Sequence, residues 1–280
     1  MELLLPRQRR LDLSQSRLMA ILNVTPDSFS DGGRFCGEAA CLARVAELVA
    51  AGADIIDVGG ESTRPGAADV DLDTELQRVI PVVSAIRRQF PDLVISVDTS
   101  KAEVMRQAAL AGADILNDVR SLQEEGALEV AVASRLPVCL MHMQGQPRSM
   151  QHQPVYQNVV SDVLQWLSER AEQCRHAGIP ASQIILDPGF GFGKSLSHNY
   201  QLLAALADFI ATGYPVLAGM SRKSMIGQLL KRDVSERLAG SIACATIAAM
   251  QGAQIIRVHD VTETADALAI VAATKSGVIQ

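Results

Sequence analysis

Ala51-Gly-Ala-Asp-Ile-Ile-Asp-Val58 is followed later in the chain by a near copy, Ala111-Gly-Ala-Asp-Ile-Leu-Asn-Asp118. Each begins where an amphipathic segment ends. The Gly suits the left-handed cap that closes a helix. The apolar run behind it suits a strand buried on both faces. Two looser echoes keep the same order of helix, Gly, apolar strand and polar end: Ala177-Gly178 ahead of Ile184-Ile-Leu-Asp187, and Gln251-Gly-Ala253 ahead of Ile255-Ile-Arg-Val-His259. A unit that alternates helix and strand in this way pairs its strands in parallel, because each helix carries the chain back across the sheet.

Four further apolar runs, 18–24, 93–98, 137–142 and 215–219, fill the gaps. The reading predicts eight strands alternating with helices over 37–51, 73–89, 101–111, 125–134, 158–177, 198–211, 235–251 and 262–275. Eight βα units with no strand-only region predict an α/β fold, a (β/α)8 TIM barrel built as a single domain over residues 1–280. Of the 280 residues 48% are hydrophobic and only 4% aromatic, so the core falls to Ala, Val, Ile and Leu, as in parallel sheets. Two long connections, 25–36 and 143–157, are candidate functional loops.

The formal net charge of -6 argues against nucleic acid as a partner. It leaves room for an anionic substrate held by a local basic pocket. Three leucines followed by Pro6 and Arg7 make no signal peptide, and no apolar run is long enough to span a bilayer, so a cytoplasmic protein without membrane association is expected. The cysteines (36, 41, 139, 174 and 244) are scattered and odd in number, which reads as reduced thiols used mostly as small core residues.

Barrel chemistry sits at the C-terminal ends of the strands. Those ends carry Asn23, Asp57, Asp98, Asn117, His142, Asp187, Lys223 just past Gly219, Arg257 and His259. Any one of them reads equally well as a polar strand terminus meeting solvent. Together on one rim they point to a shared pocket. The carboxylates Asp57, Asp98 and Asp187 with Asn117 admit two uses. They could hold a hard cation, or they could accept paired N–H groups from a heterocycle such as a 2-amino-4-oxo pyrimidine. Arg257 and His259 share a face at period two and read as a phosphate clamp. The alternatives are a structural salt bridge and a core histidine. The stretch 219–227 reads as the short extra helix that accompanies barrel phosphate sites, with Arg222 and Lys223 adding charge. Gly193-Lys194-Ser195 ends like a P-loop, but the spacing fails at Pro188. Gly189–Gly193 reads instead as a flexible loop with Phe190 or Phe192 as an aromatic wall. His152, His176 and His198 show no metal spacing and read as surface residues.

Seven segments carry a resemblance, in order along the chain: Ile21-Leu-Asn-Val-Thr-Pro-Asp-Ser-Phe-Ser-Asp-Gly-Gly33, Ile56-Asp-Val-Gly-Gly-Glu-Ser-Thr-Arg-Pro-Gly66, Ser96-Val-Asp-Thr-Ser-Lys101, Asn117-Asp118, Leu186-Asp-Pro-Gly-Phe-Gly-Phe-Gly-Lys194, Gly219-Met-Ser-Arg-Lys-Ser224 and Ile256-Arg-Val-His-Asp260. They resemble the signatures of the dihydropteroate synthases, the first two at length. The resemblance implies a homodimeric barrel that joins 4-aminobenzoate to 6-hydroxymethyl-7,8-dihydropterin pyrophosphate in folate biosynthesis and is the target of sulfonamides. It implies a pterin pocket of Asp98, Asn117, Asp187 and Lys223 with Met141 and Val119 packing on the ring, to which the rim reading adds Asp57. Pyrophosphate falls to Asn23, Arg257 and His259, with Mg2+ bridging Asn23 and phosphate oxygens. The aminobenzoate site falls to Thr63, Arg64, Pro65, Phe192, Lys223 and Ser224, covered by the loops carrying Thr25–Gly33 and Thr63–Pro65. Asp98, Lys223, Arg257 and His259 are the expected catalytic residues. A folate-to-corrinoid methyltransferase and a non-catalytic pterin-binding protein are the alternatives. The first needs no phosphate clamp, and the second would be expected to have lost Lys223 or Arg257.

Overall fold

The computed structural model describes residues 1–24, 33–61, 69–145 and 154–277, without the side chains of 33–37. Eight parallel strands form the barrel: β3 (Arg17–Asn23), β4 (Ile55–Gly59), β5 (Val94–Asp98), β6 (Ile115–Asp118), β7 (Val138–Met141), β8 (Ile184–Asp187), β9 (Leu217–Ala218) and β10 (Ile255–Val258). Their order is β8-β7-β6-β5-β4-β3-β10-β9, and a bridge between Leu186 and Val216 brings the two outer strands together. The helices α1 (Gly33–Ala50), α2 (Leu72–Gln89), α3 (Ala102–Ala111), α4 (Ala127–Ser134), α5 (Val159–His176), α6 (Leu196–Ala204), α7 (Leu206–Ile210), α8 (Ser224–Leu230), α9 (Leu238–Gln251) and α10 (Val261–Ser276) surround it. The one helix expected over 198–211 breaks at Ala205 into α6 and α7. The short helix expected near 219–227 is α8.

The repeated Ala-Gly-Ala-Asp has a physical use beyond its cap. Gly52, Gly112 and Gly252 sit at φ +102, +108 and +106, which ends each helix abruptly. The polar residue two places on then bonds both backbone groups of the neighbouring strand. Asp54 donates its N–H to Leu18 O at 2.9 Å and accepts Leu18 N–H at 2.8 Å. Asp114 does the same with Ile95, at 2.7 and 2.9 Å. In the last copy Gln254 serves Val216, at 3.0 and 2.8 Å. These bonds stitch β4 to β3, β6 to β5 and β10 to β9, and so fix register at the barrel's N-terminal end.

Period-two alternation sorts the strand residues. Outward ones such as Ile56, Val58, Ile95, Val97, Leu116, Leu140 and Leu186 join the core between barrel and helices. Inward ones form a floor with one residue from each strand: Met19, Ile55, Val94, Ile115, Cys139, Ile185, Leu217 and Ile255. A feature not expected from the sequence closes this floor from below. The strands β1 (Glu2–Leu4) and β2 (Arg10–Asp12) pair antiparallel, and Leu3, Leu5, Leu11 and Leu13 pack against it. Above the floor the inward positions turn polar, first Asp57, Ser96 and Asn117, then Asn23, Asp98, Asp187 and Arg257. Cys41, Cys139, Cys174 and Cys244 are free and buried; the Cys36 side chain lies outside the described residues. Among the described residues no helix is long and apolar enough to cross a membrane.

Candidate active site

Arg257 enters the barrel mouth from β10 and ties two strands together. Its Nε donates to Asp57 Oδ2 at 2.7 Å and its Nη2 to Asp98 Oδ2 at 2.8 Å. Asp57 lies lower in the barrel than Asp98, whose register partner on β4 is Gly59, so the guanidinium spans two layers. Asp57 Oδ2 also accepts Asn117 Nδ2 at 3.1 Å, while its Oδ1 and the neighbouring Ser96 Oγ are buried with no hydrogen-bond partner. Burial works against the charge on Arg257, but Asp57 and Asp98 outweigh it and hold the guanidinium ionised. Burial pushes Asp98 up to about 7 against the pull of Arg257, with Asp57 adding to the rise. The guanidinium keeps further N–H groups for an anion arriving from above.

Asp187 ends β8, where burial raises its carboxyl against the pull of Lys223 and the N–H of Gly189 at 2.7 Å. Lys223, at the N-terminus of α8, donates to Phe190 O at 2.5 Å and lies 4.6 Å from the Phe192 ring centre. Burial lowers its ammonium to about 8, partly offset by Asp187. Phe192 packs with Met141, and Val119 and Met143 border the pair. His259 is held by Ser221, whose Oγ lies 3.1 Å from both its backbone N and its Nδ1. Ser221 was not anticipated, although it sits two places past Gly219 on the inward side of the β9 end.

A cavity of about 450 Å³ gathers Asn23, Asp98, Phe192, Lys223, Ser224, Arg257 and His259. Asn117, Asp187, Met141 and Val119 border it through the bonds and packing above. Glu61, also on its lining, accepts Lys101 Nζ at 2.5 Å; Lys101 in turn bonds the buried Glu75 at 2.5 Å. Thr63, Arg64, Pro65, most of Thr25–Gly33 and His152 lie outside the described residues. Three expectations change. His142 does not join the rim, because Met141 takes the inward position and His142 packs edge-on to Trp166 at 5.1 Å. His198 is no idle surface residue; it completes the capping box of α6 with Ser195 and meets Tyr156 at 5.0 Å. The Gly189–Gly193 loop is not free to flex. A Cβ on Gly189 would lie 1.9 Å from His142 O, and Phe190 is fully buried.

Comparison with known proteins bears on this site. The family described as pterin binding enzyme matches residues 19–259. The dihydropteroate synthase of Escherichia coli (strain K12) is 60% identical over 266 residues, covering 95% of this chain and 94% of that protein. The Yersinia pestis dihydropteroate synthase, solved with a sulfonamide drug complex, superposes with a TM-score of 0.93 at 56% identity, covering 99% of this chain and 100% of that one. The Xanthomonas albilineans dihydropteroate synthase, solved with 4-aminobenzoic acid, gives 0.91 at 47% identity, with 98% of each chain covered.

Proposed function

Since this chain belongs to the dihydropteroate synthase family of pterin-binding enzymes, we infer that it joins 4-aminobenzoate to 6-hydroxymethyl-7,8-dihydropterin pyrophosphate, giving 7,8-dihydropteroate and pyrophosphate. The observation that carries the chemistry is the Asp57–Arg257–Asp98 bridge beside Asn117, Asp187 and Lys223. Carboxylates and an amide facing one cavity accept the N–H edge of a pterin. Arg257 and His259 at the rim receive the pyrophosphate. The amine nitrogen of 4-aminobenzoate attacks the exocyclic methylene carbon as the carbon–oxygen bond breaks. Pyrophosphate leaves with the bonding pair, and the amine gives up a proton. Ionised Asp98 stabilises positive charge on the pterin during that exchange. Phe192, Lys223 and Ser224, with Thr63, Arg64 and Pro65, hold the aminobenzoate, the group that sulfonamides imitate.

Among the described residues no three His, Cys, Asp or Glu side chains gather as a metal cage. Asn23 offers one neutral oxygen at the cavity's edge, which fits a magnesium ion that keeps its waters and takes its other ligands from phosphate. Bound there with pyrophosphate, Mg2+ would neutralise leaving-group charge. A cytoplasmic homodimer is the proposed state, supported by the exposed apolar side chains Ile247, Met250 and Ile270 on α9 and α10.

The reading is tested by turnover with both substrates and Mg2+, quantifying dihydropteroate and pyrophosphate. Equal release of both is expected, lost when Mg2+ is chelated. Arg257→Lys keeps a charge for the two carboxylates but loses the fork, and should lower kcat/KM by about a hundredfold. Pterin binding without any product would overturn the reading.

A further inference from the structure

Lys194 is a buried ionisable residue that the proposed reaction leaves without a task, and it belongs to the Gly-Lys-Ser stretch whose P-loop reading fails. Its side chain is 2% exposed. Burial pushes its ammonium well down, partly offset by Asp187, so a lysine holds its charge at this depth only if its N–H groups are satisfied. Here Nζ donates to three carbonyl oxygens: Gly189 O at 2.8 Å, Phe192 O at 3.0 Å and His142 O at 3.1 Å. His142 Nδ1 stands at 3.1 Å, and burial together with Lys194 drives that imidazole down to about 3, which keeps it neutral. One ammonium therefore ties both ends of the Gly189–Phe192 turn to the end of β7. The intervening Phe190 carbonyl faces the other way and accepts Lys223 Nζ at 2.5 Å, and the Phe192 ring lies against the same ammonium. The turn is thus clamped between two lysines, one of which lines the cavity.

The geometry points to Lys194 as a positioning residue that fixes the Phe192 wall for the aromatic amine substrate. This rests on the reading that Phe192 and Lys223 hold 4-aminobenzoate. Lys194 touches no substrate. Its effect travels through the carbonyls it binds, so it should appear in the KM for 4-aminobenzoate and not in pterin affinity.

A double-mutant cycle on the full-length protein tests this. Lys194→Met and Phe192→Ala are made singly and together. The KM for 4-aminobenzoate and the Kd for the dihydropterin pyrophosphate are measured for each. Each single variant should raise the KM about tenfold, with the pterin Kd within about twofold, and the pair should be no worse than either alone, because both remove the same wall. If Phe192→Ala raises the KM while Lys194→Met leaves it unchanged, or if the two effects multiply, the positioning role is overturned and the wall stands. If Phe192→Ala leaves the KM unchanged, the wall itself is wrongly assigned and the proposal falls with it. Should Lys194→Met fail to fold, Lys194→Gln, a neutral donor of shorter reach, takes its place in the same cycle. A KM that this variant leaves unchanged overturns the role.

Discussion

Two buried carboxylates share one guanidinium at the heart of this site, and they are not equivalent. Asp57 bonds both Arg257 and Asn117 from below, whereas Asp98 lines the cavity and, among the described residues, bonds Arg257 alone. Burial raises Asp98 to about 7 despite Arg257, with Asp57 adding to the rise. If its ionised form stabilises charge on the pterin, kcat/KM for the pterin substrate must climb as pH rises through about 7. Asp98→Asn should flatten that limb and lower kcat more than it weakens pterin binding. A pH profile of kcat/KM for the variant that keeps the limb would assign it to another group. The residue scale also shows where sequence reading runs out. Asp98, Asn117, Asp187 and Arg257 were legible because strand ends in a barrel converge and period two gives the side. The same rule, applied to Met141, would have turned His142 outward. Lys194 was not legible, since nothing in a Gly-Lys-Ser string says that the turn before it will fold its carbonyls onto the ammonium.

The pair β1–β2 is the element that the sequence concealed. Each strand is three residues long with a single buried centre, Leu3 or Leu11, too short a run for its alternation to stand out. The apolar pattern of the barrel strands and the Gly-capped helices between them was plain by contrast, because each run fills a whole buried strand. The break at Ala205 carries no Gly or Pro and left no signal. What β1–β2 does is fill the open end of the barrel. Its turn is held by Asp114, fully buried, which pairs with Arg7, with Arg9 at 3.2 Å and with Arg87 of α2 at 2.5 Å. Leu3 is fully buried beneath the floor and far along the barrel from the catalytic rim. Leu3→Ala should therefore remove about 2–5 kcal/mol of stability, read by urea unfolding. Both KM values should remain as they were. A several-fold change in either KM would mean that the plug acts on the site and does more than close the floor.

At the scale of the whole molecule, a chain of net charge -6 concentrates Arg222, Lys223, Arg237, Arg257 and His259 around one cavity that also holds buried Asp98. Burying ionisable groups there destabilises the ligand-free fold in a pH-dependent way. Asp98 titrates near 3.8 in the unfolded chain and about 7 in the folded one. Between those values the folded state binds more protons, so its stability falls as pH rises across that window. Lys223 runs from 10.5 unfolded to about 8 folded. Between these the folded state binds fewer protons, and stability rises with pH. Both groups are charged, and least comfortable, between about 7 and 8, where a pterin pyrophosphate would supply N–H donors to one and phosphate oxygens to the cations beside the other. Two comparisons isolate this from the titration of the rest of the surface. Wild type should lose stability relative to Asp98→Asn on going from about pH 5 to about pH 8, because the other carboxylates cancel in the difference. The saturating substrate should raise Tm more at the higher pH than at the lower. A wild type and variant that keep the same separation at both pH values would show that Asp98 is ionised in the folded protein throughout, and that its pairing with Arg257 outweighs its burial.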